Sequence, residues 1–191
     1  LTANLTCSDV LIDGAASAVL AKSTFTLTAN NNLIVGSSGS LTSTSGAVVV
    51  TGNVTVAAAS FIDFGSEAWT VIGTWTNSTT SASWDAGTGT VTFTSATGGT
   101  LTFAGANLAE AEFNSVTFTS SAGTAQTFTM ATRGLRWLTT LTVSDTVSTT
   151  ALASADLALG AAADAADVVV GNGGILTANA STVLVNGFTM T

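Results

Sequence analysis

Apolar and polar residues alternate along most of this chain with a period of two. The alternation appears at 23–28 (Ser-Thr-Phe-Thr-Leu-Thr), 46–51 and 53–56, and it returns at 89–94, 99–103, 115–119, 126–130, 139–143 and 187–191. Each segment places large apolar side chains on one face and mainly Thr on the other, as a half-buried β-strand requires. Thr and Val are also strong strand formers. Turn-forming clusters punctuate the segments at Gly36-Ser37-Ser38-Gly39, Asp85-Ala86-Gly87, Thr97-Gly98-Gly99 and Asn172-Gly173-Gly174. The pattern predicts an all-β fold. One stretch dissents: residues 151–167 are Ala-rich and compatible with a short helix, although Leu152, Leu157 and Leu159 form no clean helical face and Gly160 interrupts it.

Internal similarity points to an architecture. Leu-Thr-Ala-Asn occurs at 1–4, 27–30 and 176–179, each time followed by a second apolar run and a glycine: Val10-Leu11-Ile12-Asp13-Gly14, Leu33-Ile34-Val35-Gly36 and Val183-Leu184-Val185-Asn186-Gly187. The separation of the first two copies suits one coil of a repeat fold. At roughly 22 residues per coil the chain makes about eight or nine coils. With strands ~4.8 Å apart they stack into a rod on the order of 40 Å long. A β-solenoid of parallel β-helix type, with residues 1–191 as a single elongated domain, is therefore the expectation. Such a domain could itself be one repeat unit of a longer chain or polymer. The Trp-containing middle (69–84) and the Ala-Asp segment break a clean period, which keeps a β-sandwich with strand exchange between subunits as the alternative.

Composition narrows the function classes. There is no His, no Pro and no Tyr, and charged residues make up 7% of the chain, against about 25% in ordinary soluble domains. Without imidazole there is no Ser-His or Cys-His nucleophile and no His metal ligand. Lys22, Arg133 and Arg136 are the only basic residues, and a net charge of −8 cannot neutralise a phosphate backbone, so no nucleic-acid partner is expected. A 46% apolar content with mean hydropathy +0.55 excludes general disorder. No apolar run reaches the roughly 18 residues of a membrane-spanning helix. Four Trp without Tyr make poor girdles for a membrane barrel. The chain opens on Leu1 rather than Met, as expected of a processed chain or of a segment of a longer one.

Candidate chemistry is sparse. Cys7 stands alone and forms no disulfide within the chain. It reads as a strand residue or as half of an intermolecular disulfide. Gly171-Asn172-Gly173-Gly174 is a turn rather than a phosphate cradle, because no helix with a basic residue follows it. The eleven acids are scattered; Asp164 with Asp167 falls short of a calcium loop, and Glu110 with Glu112 lacks a sugar platform for glycosidase chemistry. No enzyme activity, cofactor or metal is expected. Asn-x-Ser/Thr sequons mark Asn4, Asn53, Asn77 and Asn179 as glycosylation candidates, Asn77 first because it lies in a polar Thr/Ser loop. Trp69, Trp75 and Trp84 are either a glycan-contact strip or one large core cluster. Thr-x-Thr triplets at 24–26, 90–92, 100–102, 117–119, 127–129 and 140–142 raise a third possibility, a flat ice-binding Thr array.

The strings VTGNVTV (50–56), GTGTVTFTSATGGTLTF (87–103) and FNSVTFTSSAGTAQTFTM (113–130) resemble the Thr/Gly/Asn-rich repeats of secreted bacterial and archaeal surface proteins of the β-solenoid adhesin and filament type. The resemblance covers most of the chain. It implies a right-handed stack of coils, an extracellular or cell-surface location and a non-enzymatic role, and it carries over no catalytic positions.

The two ends complete this reading. Phe188-Thr189-Met190-Thr191 followed by Leu1-Thr2-Ala3-Asn4 reproduces the internal Phe25-Thr26-Leu27-Thr28-Ala29-Asn30 closely. No polar capping repeat and no edge Lys or Pro protects the terminal segments. The expectation is a structural subunit of an extracellular filament or surface layer. Identical subunits would join head to tail through Leu1, Thr2, Ala3, Asn4, Leu5 and Phe188, Thr189, Met190, Thr191. An adhesin or carbohydrate-binding module using Trp69–Trp84 is the alternative.

Overall fold

The computed structural model describes residues 1–14, 17–79, 84–95, 97–103, 112–120, 126–131, 136–143, 147–150, 167–170, 175–177 and 187–190. The first coil contains β1 (Leu5–Cys7), β2 (Val10–Ile12) and β3 (Ala18–Ala21). The next three follow the same plan: β4 (Leu27–Ala29), β5 (Leu33–Val35) and β6 (Gly39–Thr42); β7 (Ala47–Val50), β8 (Val54–Val56) and β9 (Phe61–Asp63); β10 (Ala68–Val71), β11 (Trp75–Asn77) and β12 (Trp84–Asp85). Beyond them the described strands come in pairs, the longest of nine residues. They are β13 (Thr90–Ser95) and β14 (Gly99–Phe103), β15 (Glu112–Ser120) and β16 (Gln126–Ala131), β17 (Arg136–Val143) and β18 (Val147–Thr150), then β19 (Asp167–Val170) and β20 (Ile175–Thr177), closing on β21 (Gly187–Met190).

The described strands stack into three parallel sheets. The first has nine strands, β1-β4-β7-β10-β13-β15-β17-β19-β21; the second has eight, β2-β5-β8-β11-β14-β16-β18-β20; the third has four, β3-β6-β9-β12. The chain is thus an all-β parallel solenoid, and the sandwich alternative falls. Of the residues 151–167 that carried the helix alternative, 151–166 lie outside the described residues and Asp167 opens strand β19.

Register explains why the core is continuous. In the first sheet, Leu5, Leu27, Val48, Trp69, Val91, Val116, Leu141, Val168 and Phe188 occupy one column. Cys7, Ala29, Val50, Val71, Phe93, Phe118, Val143, Val170 and Met190 occupy the next inward one. Between them Thr6, Thr28, Val49, Thr70, Thr92, Thr117, Thr142 and Thr189 point outward. A period-two strand in a parallel stack must put like on like, so one buried face repeated per coil builds one unbroken core.

Side chains at the corners hold the coil length constant. Asp9 Oδ1 accepts the Asn32 backbone N–H at 3.1 Å, Asn32 Oδ1 accepts that of Asn53 at 3.1 Å, and Asn53 Oδ1 accepts that of Thr74 at 2.9 Å. Each step supplies a partner to a turn N–H that the sheet ladder does not reach. The segment 23–28 behaves differently from its alternation. Only Leu27–Ala29 is strand, because Ser23 adopts φ 56° and the Phe25 N–H turns back to the Lys22 carbonyl.

Candidate functional site: the two ends and the third corner

Among the described residues, the outermost strands of the sheets carry exposed apolar side chains. At the β1 end lies a hollow of about 380 Å³ lined by Leu5, Cys7, Val10, Ile12, Ala18 and Leu20. Leu11 and Val19 beside it are 67% and 61% exposed. Asp9 and Asp13 sit on its rim, both exposed. Hydrogen bonds from the Asn32 side chain, then from its backbone and from Ser8, hold the Asp9 carboxyl below its ordinary range. At the other end, Phe188 and Met190 terminate the two inward columns while 53% and 73% exposed, and Ile175 is 57% exposed. Large apolar groups left open in an inward-facing row are the kind of surface that associates.

Of the interface residues expected from sequence, Leu5, Phe188 and Met190 lie on these inward columns. Leu1 packs against the core from outside β1, and its nitrogen donates to the Ala21 carbonyl. Thr2 and Ala3 are exposed, and Asn4 Oδ1 accepts the Thr26 N–H at 2.9 Å. Thr189 points outward, and Thr191 lies outside the described residues. Sequence reasoning missed Val10, Ile12, Ala18 and Leu20, which line the same hollow. Their strands are three or four residues long, too short to show a period.

The tryptophans belong to the interior. Trp69 and Trp75 are 1% and 0% exposed, and Trp84 packs half-buried against the core. With Phe64, Phe93 and Phe113 they form one cluster; Phe64 lies 4.8 Å from both Trp69 and Trp84, and Trp75 lies 5.7 Å from Phe113. The Trp84 indole donates to the Glu112 carbonyl and so ties the fourth coil to β15. Neither Trp69 nor Trp75 offers a ring face to a sugar. Asn77 is likewise 1% exposed, with Oδ1 accepting from the N–H and hydroxyl of Thr79 at 3.0 and 2.8 Å. Asn4 and Asn53 are exposed; Asn179 lies outside the described residues. Cys7 is a half-buried free thiol at the β1 end.

A buried ion pair occupies the corner between the third and first sheets. Lys22 Nζ lies 2.5 Å from Glu67 Oε2, and it also donates to the carbonyls of Phe25 and Ser45 at 2.5 and 2.6 Å. Ser43 donates to the same carboxylate oxygen. The ammonium therefore has three acceptors for three protons. Burial raises the Glu67 carboxyl above its ordinary range, and hydrogen bonds from Lys22 and Ser43 oppose the shift only in part. Trp69 is near enough to act on this charge, yet its indole N–H and Glu67 Oε1 both lack a partner of normal geometry. Space for the ammonium comes from Gly46 (φ +94°), where a Cβ would stand 2.9 Å from Lys22 Nζ. No sequence pattern announced this pair.

Among the described residues no group of three or more Cys, Asp or Glu is placed to hold a metal ion. Nor is any helix long and apolar enough to cross a membrane. Comparison with family profiles, curated protein sequences and solved structures finds no match to this chain. The fold itself defines the class: a parallel β-solenoid.

Proposed function

We propose that this chain is a structural subunit of an extracellular filament or surface layer, assembled head to tail with identical copies through its end strands. The observation that supports the reading is the pair of columns that runs through the nine described strands of the first sheet and has apolar residues on both outermost strands, Leu5 and Cys7 on β1, Phe188 and Met190 on β21. Unpaired strand edges backed by apolar rungs are templates for further strands. The scarcity of charge and the surface-protein resemblance support the extracellular setting. The test is electron microscopy and light scattering of the full chain beside variants lacking 1–6 or 186–191. Loss of polymer with retained β circular dichroism supports the reading, and unchanged polymer in both variants rejects it.

One observation favours a second reading, an ice-binding face. Thr90, Ser115 and Thr140 stack in one outward column and Thr92, Thr117 and Thr142 in the next. Hydroxyls therefore repeat every ~4.8 Å between strands and about 6.7 Å along them, a flat array suited to ordered water. Thermal hysteresis in dilute solution supports it; ordinary freezing rejects it.

A further inference from the structure

We propose that Asp13–Gly14, at the corner after β2, is a site of spontaneous covalent modification, where the chain closes a succinimide and reopens it to isoaspartate. Hydrogen bonds between coils protect the asparagines at the other corners from the same fate. The modification depends neither on assembly nor on the ends of the chain.

Closure requires the backbone nitrogen of the following residue to attack the side-chain carbonyl carbon. The Gly14 N–Cγ bond forms, and the carboxyl OH leaves with the amide proton as water. Water then reopens the ring at either carbonyl. Opening at Cγ restores Asp13; opening at the main-chain carbonyl routes the backbone through Cγ and adds one methylene to the corner. Asparagine closes in the same way, with ammonia as the leaving group. No reactant besides water is needed.

The geometry at 13–14 favours the attack. Gly14 lies past the end of β2, and its N–H donates to Asp13 Oδ1 at 2.9 Å, so the nitrogen already faces the carboxyl. Gly14 has no Cβ to crowd the approach, and both residues are exposed. Elsewhere the corresponding nitrogen is committed. After Asn30, Asn53 and Asn77, the N–H groups of Asn31, Val54 and Ser78 donate to carbonyls of neighbouring coils at 2.6, 2.9 and 2.8 Å. After Asp9 and Asp63, those of Val10 and Phe64 do likewise at 2.8 and 3.1 Å. Turning any of these nitrogens onto its own side chain breaks a backbone hydrogen bond between coils.

The test is to age the full chain in warm neutral buffer, folded and in urea, and to map its peptides with fragmentation that separates isoaspartate from aspartate. The folded chain should gain isoaspartate at 13, preceded by a species one water lighter, while Asn77 stays intact. In urea, with Ser78 released from the Val56 carbonyl, Asn77 should deamidate as well. Gly14→Ala should lose most of the product at 13 and keep the fold, because an added Cβ comes no closer than 3.4 Å to Ala18. Asp13 that reacts in urea but not in the folded chain overturns the site, as does a chain without isoaspartate at 13 in either state. Asn77 that deamidates as fast folded as unfolded overturns the protection by coil-to-coil bonds. A wild-type yield from Gly14→Ala overturns the part given to the bare Gly14 nitrogen.

Discussion

Lys22 Nζ and Glu67 Oε2 meet at 2.5 Å with both side chains wholly buried, although one leaves the first coil and the other enters the fourth. The contact ties non-adjacent coils together through the gap left by Gly46, and it uses one of the three basic residues in the chain. Removing one partner should cost far more than removing both. Glu67→Leu strands a buried ammonium, and the expected loss is about 3–5 kcal/mol. The double variant Lys22→Met with Glu67→Leu should recover most of it in urea melts. A double variant as unstable as the single would show that packing, not charge, sets the cost.

The same pair predicts a pH trend. Burial lifts the folded Glu67 carboxyl above its ordinary 4.5, so across that window the folded chain holds more protons than the unfolded one. Its stabilising contribution is full below 4.5 and is lost as pH rises through the lifted value. Wild type should therefore lose stability between mildly acid and neutral pH by more than Glu67→Gln does. The difference between their thermal melts isolates this group from the repulsion of the other acids.

Gly46→Ala probes the gap directly. At φ +94° an added Cβ would meet the Thr24 carbonyl at 2.6 Å and the Phe25 carbonyl at 2.8 Å. Strain of this kind costs about 1–3 kcal/mol, and the change should also weaken the Lys22–Glu67 coupling measured by a double-mutant cycle.

Trp75→Ala should cost about 3–5 kcal/mol, the usual toll of emptying a large buried aromatic site. Thr100→Ala, on the exposed face of the neighbouring coil, should fall within about 0.5–1 kcal/mol. Equal effects would contradict an interior Trp cluster.

Secretion from a host that glycosylates Asn-x-Ser/Thr should leave Asn77 bare in natively folded protein, because its amide is buried against Thr79. Peptide mapping reads this at once, and a glycan on Asn77 in protein with native stability would refute the placement. Asn53 is exposed, but its Oδ1 bridges to Thr74; Asn53→Ala should cost about 1 kcal/mol.

How much of this was legible before folding depends on what each feature needs. Alternation alone determined the long strands: Gly89–Thr94, Ser115–Thr119 and Thr139–Val143 lie within or overlap β13, β15 and β17 with their apolar residues inward, since the period of two is a property of the extended backbone. The repeated apolar runs pointed to coils, and Val10–Ile12 does stack on Leu33–Val35; the Leu-Thr-Ala-Asn copies do not stack, because Leu27 pairs with Leu5 rather than Leu1 and Leu176 lies in β20 of the second sheet. Three things required the tertiary structure. The third sheet consists of strands of two to four residues, too short for periodicity to register. The fate of Trp69, Trp75 and Asn77 turned on which coil interior needed bulk, and identical local sequence suits an exposed or a buried face. The Lys22–Glu67 clamp joins residues that only stacking brings together, because a solenoid converts separation by whole coils into contact, and no local pattern encodes a distance across coils.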